Sequence, residues 1–132
     1  MKLKKKRLIF FLPVFSFGGA SESIFKLVKF LKKYNFSVLI ISLGKNFYKK
    51  EFRKINCDIL EINSSRAIFS IFKIRKKIIE EINKNFYKTI FISNIHYANI
   101  ISIFSLIKLQ KIKIILTERS SVSELKNNDN LI

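Results

Sequence analysis

Arg7-Leu8-Ile9-Phe10-Phe11-Leu12-Pro13, then Gly18-Gly19, then Ile24, Leu27, Val28 and Leu31 form the stretch on which the fold turns. The first segment is a short, continuous apolar run ended by proline, as expected of a parallel strand covered on both faces. The glycine pair lets the backbone turn tightly. The four apolar residues after it recur at i, i+3, i+4 and i+7, while Lys26, Lys29, Lys32 and Lys33 fill the opposite side, which predicts an amphipathic helix. Phe36 to Ser42 carries Val38-Leu39-Ile40-Ile41 and stops before Gly44, giving a second buried strand and completing a βαβ unit.

The same alternation continues. Asp58 to Ile62 reads as a third strand, preceded by a basic stretch from Lys45 to Asn56 with no clear period. Ile68, Ile71, Phe72, Ile78, Ile79 and Ile82 mark the inner face of a long helix. Thr89 to Ser93, Ala98 to Leu109 and Ile112 to Thr117 read as strand, helix and strand. Strands alternating with helices specify an α/β, Rossmann-like parallel sheet with helices on both faces, and they place ligands beyond the carboxyl ends of the strands. Residues 1–126 are read as one such domain and 127–132 as a polar end.

Composition fits one globular domain: 132 residues, 48% hydrophobic and 27% charged. The net charge of +17 and pI near 10.2 would favour anionic partners, so a basic module for nucleic acid or acidic membrane is the alternative reading. Against it, lysine, isoleucine, phenylalanine and asparagine all use codons rich in A and T, and the basic residues spread over helix faces instead of forming one patch. Nucleic acid is therefore the less expected partner. The lone Cys57 excludes an internal disulfide and a cysteine metal cluster.

Two segments imitate membrane signals. Lys2 to Arg7, Leu8 to Phe17 and Gly18-Gly19-Ala20 follow the layout of a secretory signal, but Pro13 breaks the apolar run and an amphipathic helix follows directly. Thr89 to Ile107 holds 19 residues without a charge, about the length of a membrane span, yet Ser93, Asn94, His96 and Asn99 sit in its middle. A buried strand, a Ser-Asn turn and a buried helix explain it better.

Three loops after strands carry unusual polar residues: Ser16 to Glu22, Asn94 to Asn99 and Glu118 to Ser121. Gly18 and Gly19 allow close approach of a ligand to the backbone, and the helix start behind them offers amides to an anion. Two glycines alone equally mark a structural loop, since no G-x-G-x-x-G or Walker pattern is present. His96 could hydrogen-bond a sugar hydroxyl or carry a proton; the competing reading is a helix-start residue. Glu118-Arg119 is a charged pair at the crevice edge, or a plain surface ion pair. Ser121-x-x-Glu124 fits a capping box. The missing third glycine, and the lack of an acidic residue at the end of the second strand, argue against a dinucleotide-binding oxidoreductase.

Phe-Gly-Gly-Ala at Phe17 to Ala20, Leu-Lys-Lys at Leu31 to Lys33, Ser-Asn-Ile-His-Tyr-Ala-Asn at Ser93 to Asn99 and Thr-Glu-Arg at Thr117 to Arg119 together carry a resemblance. Over nearly its whole length the chain resembles the N-terminal, acceptor-side domain of family 4 glycosyltransferases, which have the two-domain GT-B fold. It departs from the family's usual Gly-Gly-Ala-Glu-Arg at Ser21 and Glu22. The resemblance implies transfer of a sugar from a nucleotide-sugar to a hydroxyl of a glycan or lipid-linked acceptor, with no cofactor and no bound metal. By the same resemblance, Gly18 and Gly19 approach the donor diphosphate or transferred sugar, His96 contacts the reacting sugar, and Glu118 and Arg119 line the acceptor side. By this resemblance the family's donor-binding domain is expected to be absent. The chain is expected to be a truncated or split form, inactive alone or completed by a separate donor-binding domain. Its expected location is cytoplasmic, with lysine-rich helix faces allowing peripheral contact at the inner face of the membrane.

Overall fold

Strand β1 (Lys6–Leu12) lies at the centre of a five-stranded sheet whose order is β3-β2-β1-β4-β5. Its neighbours β2 (Ser37–Ser42) and β4 (Lys88–Asn94) both run parallel to it, pairing Phe10 with Ile40 on one side and with Ile92 on the other. The edges are β3 (Asp58–Glu61), parallel to β2, and β5 (Lys113–Thr117), parallel to β4. The computed structural model describes residues 5–64, 66–84 and 86–118. The architecture is an α/β Rossmann-like parallel sheet, as the alternation of apolar runs and amphipathic segments requires.

The period of two along each strand divides the core in half. Ile9, Phe11, Leu39, Ile41 and Phe91 face α3 (Ala67–Ile82) and α4 (His96–Leu106), meeting Ile74, Ile78, Ala98 and Ile101. Leu8, Phe10, Leu12, Val38 and Ile40 face the other way, toward Ile24 and Val28 of α1 (Gly19–Lys32) and Phe52 of α2 (Lys49–Lys54). Both faces of β1 and β2 are covered, which is why their sequences are unbroken apolar runs. Within the segment that imitated a secretory signal, Lys6–Leu12 form the central strand, and a loop and the start of α1 follow.

Four details differ from the sequence reading. The unpatterned stretch between β2 and β3 contains α2, whose six residues include only one buried anchor, Phe52. In α3 the inward residues are Ser70, Ile74, Ile78 and Glu81, while Ile68, Phe72 and Ile79 are exposed. The helix has rotated its stripe so that Glu81 meets Arg7 of β1. The fourth strand includes Ser93 as expected but extends to Asn94, leaving no Ser-Asn turn, and α4 starts two residues earlier than Ala98 and ends at Leu106. Finally, α4 and β5 are only half covered: Ile100, Ile103, Phe104, Ile114, Ile115 and Leu116 are exposed. Among the described residues no helix is long and apolar enough to cross a membrane.

Cys57 is buried beneath α1 and α2, and burial pushes its thiol up to about 11. The thiolate is the nucleophile, so the folded protein should hold almost none at neutral pH. Alkylation by a soluble maleimide or disulfide reagent is expected to proceed only at the rate of opening, and to become fast in denaturant. Fast, complete labelling of the native protein would contradict this packing.

Candidate functional site at the carboxyl ends of the strands

The chain reverses its winding between β1 and β4. From β1 it crosses through α1 on one face, whereas β4 is reached and left through α3 and α4 on the other. Such a switch point leaves a crevice beyond the carboxyl ends of the two strands, because the loops leave in opposite directions. The β1–α1 loop with Gly18-Gly19 borders it on one side. The start of α4, with His96, borders it on the other.

Gly18 has φ 101 and ψ 178 and forms the N-cap of α1; Gly19, at φ 42, is its first residue. A Cβ at either position would meet no atom within 4 Å, so the demand for glycine is conformational and the space beside it is open. Glu22 N–H donates to the Gly18 carbonyl at 3.4 Å, closing the first turn. The amides before it have no partner within the helix and point outward, as at any helix start. Gly18→Ala is expected to cost about 1–3 kcal/mol through strain alone. Chemical unfolding would show it, and a variant as stable as the parent would rule out this backbone geometry.

On the other side, Ile95 connects β4 to α4 with φ 78 and ψ 143, a genuine outlier for a β-branched residue. Polar bonds hold it there. Its N–H donates to the Thr117 carbonyl at 3.1 Å, and its own carbonyl accepts from the Asn99 N–H at 3.0 Å. Asn99 Nδ2 donates to the same Thr117 carbonyl at 3.1 Å. Thr117 Oγ1 in turn donates to the Ser93 carbonyl at 3.0 Å and lies 2.8 Å from Asn94 Oδ1, while Ser102 Oγ and Ser93 Oγ are 2.9 Å apart. Asn94 Nδ2 reaches back to the Phe11 carbonyl of β1 at 3.4 Å. These bonds tie the ends of β1, β4 and β5 together and fix the direction in which α4 departs. Backbone strain so over-determined clusters at functional sites.

The result presents His96 at the surface. Its Nδ1 lies 3.6 Å from Glu118 Oε2, with side chains 78% and 48% exposed. The carboxylate can orient the ring and would pair with its protonated form, leaving Nε2 to face a ligand. Nearby, Asn99 Oδ1 is buried and accepts no hydrogen bond among the described residues. A cavity of about 300 Å³ opens among Pro13, Val14, Gly44, Ser64, Arg66 and Tyr97, at the ends of β1, β2 and β3.

His96 and Glu118 are therefore brought together, at the end of β4 and β5. Gly18 and Gly19 stand across the switch point without touching them, and none of these four lines the cavity. Arg119 and the Ser121-x-x-Glu124 box lie outside the described residues. Sequence reasoning missed Tyr97 and Arg66. The signal for Arg66 was available, because it follows a strand end just as the other loops do. Among the described residues no group of three or more His, Cys, Asp or Glu side chains is placed to hold a metal ion.

No protein-family model matches the chain, and no curated protein does. Among solved structures it is similar to the crystal structure of a glycosyltransferase from Rickettsia africae ESF-5, at a TM-score of 0.64 and 23% identity. The likeness covers 96% of this chain and 34% of that one, so the chain spans about a third of the length of the glycosyltransferase whose fold it shares.

Proposed function

We propose that the chain is the acceptor-side, N-terminal half of a family 4, GT-B glycosyltransferase, acting together with a donor-binding domain. The observation that carries the reading is the fold likeness of nearly the whole chain to part of a glycosyltransferase. The switch-point crevice supports it, with a glycine turn on one wall and a histidine held by a carboxylate on the other.

In this reading a nucleotide-sugar is the donor and a glycan or lipid-linked hydroxyl the acceptor. The bond from the anomeric carbon to the diphosphate oxygen breaks, its electron pair leaving with the nucleoside diphosphate. The acceptor oxygen bonds to that carbon and gives up its proton. Gly18 and Gly19 allow the diphosphate or transferred sugar to approach the backbone. His96 hydrogen-bonds the reacting sugar and carries the proton, with Glu118 orienting the imidazole. Arg119 completes the acceptor side. The donor is a substrate, and no resident cofactor is proposed. The setting is the cytoplasm, with peripheral contact at the inner face of the membrane.

The test is reconstitution. The chain is co-expressed with a separately encoded Rossmann-like domain from its own genome, and transfer from labelled nucleotide-sugars to endogenous lipid and glycan acceptors is followed. Transfer that needs both polypeptides supports the proposal. Labelled product formed equally well without this chain would sink it.

A further inference from the structure

Beyond the crevice, on the α1 and α2 side of the sheet, the segment after β2 forms a second concave surface. Lys45-Asn46-Phe47 is docked against the β1–α1 loop. Asn46 bridges to Phe15, Phe47 N–H donates to the Phe15 carbonyl at 2.8 Å, and the Phe47 ring lies 5.6 Å from that of Phe17. Helix α2 then returns beside it. Between them lies a depression of about 690 Å³ lined by Lys45, Asn46, Phe47, Lys49, Lys50, Arg53 and Lys54.

The charge here is concentrated, and Glu61 is the acidic group that offsets it, through Lys49 and more distantly Arg53. Lys50, Arg53 and Lys54 recur at i, i+3 and i+4, so a helix of only six residues stacks three cations on one face, an arrangement that repels itself without a counter-ion. Lys45 approaches from the loop opposite, its Nζ 5.0 Å from the Phe47 ring centroid. Among the described residues none of these four is paired with a carboxylate. Lys49 alone is neutralised, by Glu61, whose carboxyl is held below its usual value by the bond from Lys49 and by the Asn46 N–H. Neither Glu61 nor Glu51 lines the depression. In its wall Asn46 is 3% exposed, and its buried Nδ2 has no acceptor among the described residues. An orphaned donor among unpaired cations favours a ligand rich in acceptor oxygens. The lysines of α1 offer a contrast: Lys26 is paired with Glu22, and Lys29 and Lys33 do not line this depression.

We infer that this depression is a binding site for a phosphate-bearing group. Arg53 supplies the forked donor, Lys45, Lys50 and Lys54 the surrounding charge, and Phe47 an apolar wall. Its contact with Phe17 places the bound group beside the Gly18-Gly19 turn. The phosphate would then belong to the acceptor, an assignment of role that rests on the sugar-transfer reading; the binding itself does not.

The experiment is calorimetric titration of the full chain with inorganic pyrophosphate, alongside sedimentation with phosphatidylglycerol and phosphatidylcholine vesicles. The variants are K50Q/R53Q in the depression and K29Q/K33Q on α1, all exposed positions. Saturable pyrophosphate binding weakened about tenfold or more by K50Q/R53Q, and spared by K29Q/K33Q, establishes the site for a soluble phosphorylated ligand. The same pattern seen only with phosphatidylglycerol vesicles assigns the phosphate to a lipid headgroup. Equal losses in both variants would mean that only diffuse charge attracts anions, and would overturn the inference, as would binding to neither probe. Pyrophosphate bound here by a chain that supports no sugar transfer would leave this site standing and remove the enzymatic reading alone.

Discussion

Arg7→Met is expected to destabilise the protein by about 3–5 kcal/mol, the usual consequence of leaving one member of a buried ion pair alone. Arg7 is 1% exposed and Glu81 is fully buried. The guanidinium donates to both Glu81 oxygens, at 2.8 and 3.2 Å, and to Ser37 Oγ at 2.7 Å; it also pairs with Asp58 at 2.8 Å and lies 5.2 Å from the Phe86 ring centroid. Lys84 and Lys77, 2.8 and 3.5 Å from Glu81 in the parent, would still offset the stranded carboxylate, which favours the lower part of the range. Replacing both partners, as in R7M/E81L, should recover much of the loss, since no buried charge is then stranded.

The pair also makes stability depend on pH. Burial would raise the Glu81 carboxyl, but the bonds from Arg7 and Lys84 outweigh it and hold the group below its ordinary value of 4.5. The folded state therefore binds this proton less readily than the unfolded one. The contribution is present in full above pH 4.5 and is lost as pH falls through the lower folded value. Urea unfolding should show the gap between parent and R7M narrowing on acidification below that point. An R7M protein as stable as the parent at neutral pH would contradict the burial of Arg7.

In the reconstituted enzyme, His96→Ala is expected to lower kcat about 10²–10⁴-fold, the range lost with a general acid–base group. His96 is exposed at the start of α4, so the change should leave folding intact. His96→Gln separates two roles. A glutamine can hydrogen-bond a sugar hydroxyl but carries no proton, so recovery of KM with kcat still depressed assigns proton transfer to the imidazole. Glu118→Gln keeps the shape but removes the charge 3.6 Å from His96, and should have a smaller effect than His96→Ala. Unchanged turnover in both His96→Ala and Glu118→Gln would remove these residues from the site.

Much of this was legible because the chain buries its central strands on both faces. Leu8 to Leu12 and Val38 to Ile41 read as core strands, and the glycine turn with the amphipathic helix after it pointed to the first crossover. What escaped depended on partners distant in sequence. Nothing near Glu81 announces that it is buried, since its partner lies 74 residues away. Helix α2 escaped because five of its six residues are charged, leaving Phe52 alone to mark a face. At the site, glycine, histidine and the Glu-Arg pair stood out by residue type. Tyr97 and Arg66 did not, and their role in the cavity comes from the way β3 and β4 bring separate loops to one end of the sheet.

The most direct test of the central claim, that the crevice between the β1 and β4 loops receives the sugar-transfer substrates, is amide chemical-shift mapping of the full chain. Nucleotide-sugars and short glycan acceptors would be added at millimolar concentration. The account predicts that the largest shifts fall at Gly18, Gly19, His96, Tyr97 and Glu118, with smaller ones at Ser64 and Arg66. Shifts confined to the opposite end of the sheet, around Phe86, Lys111 and Ile112, or no shift with any of these compounds, would contradict it.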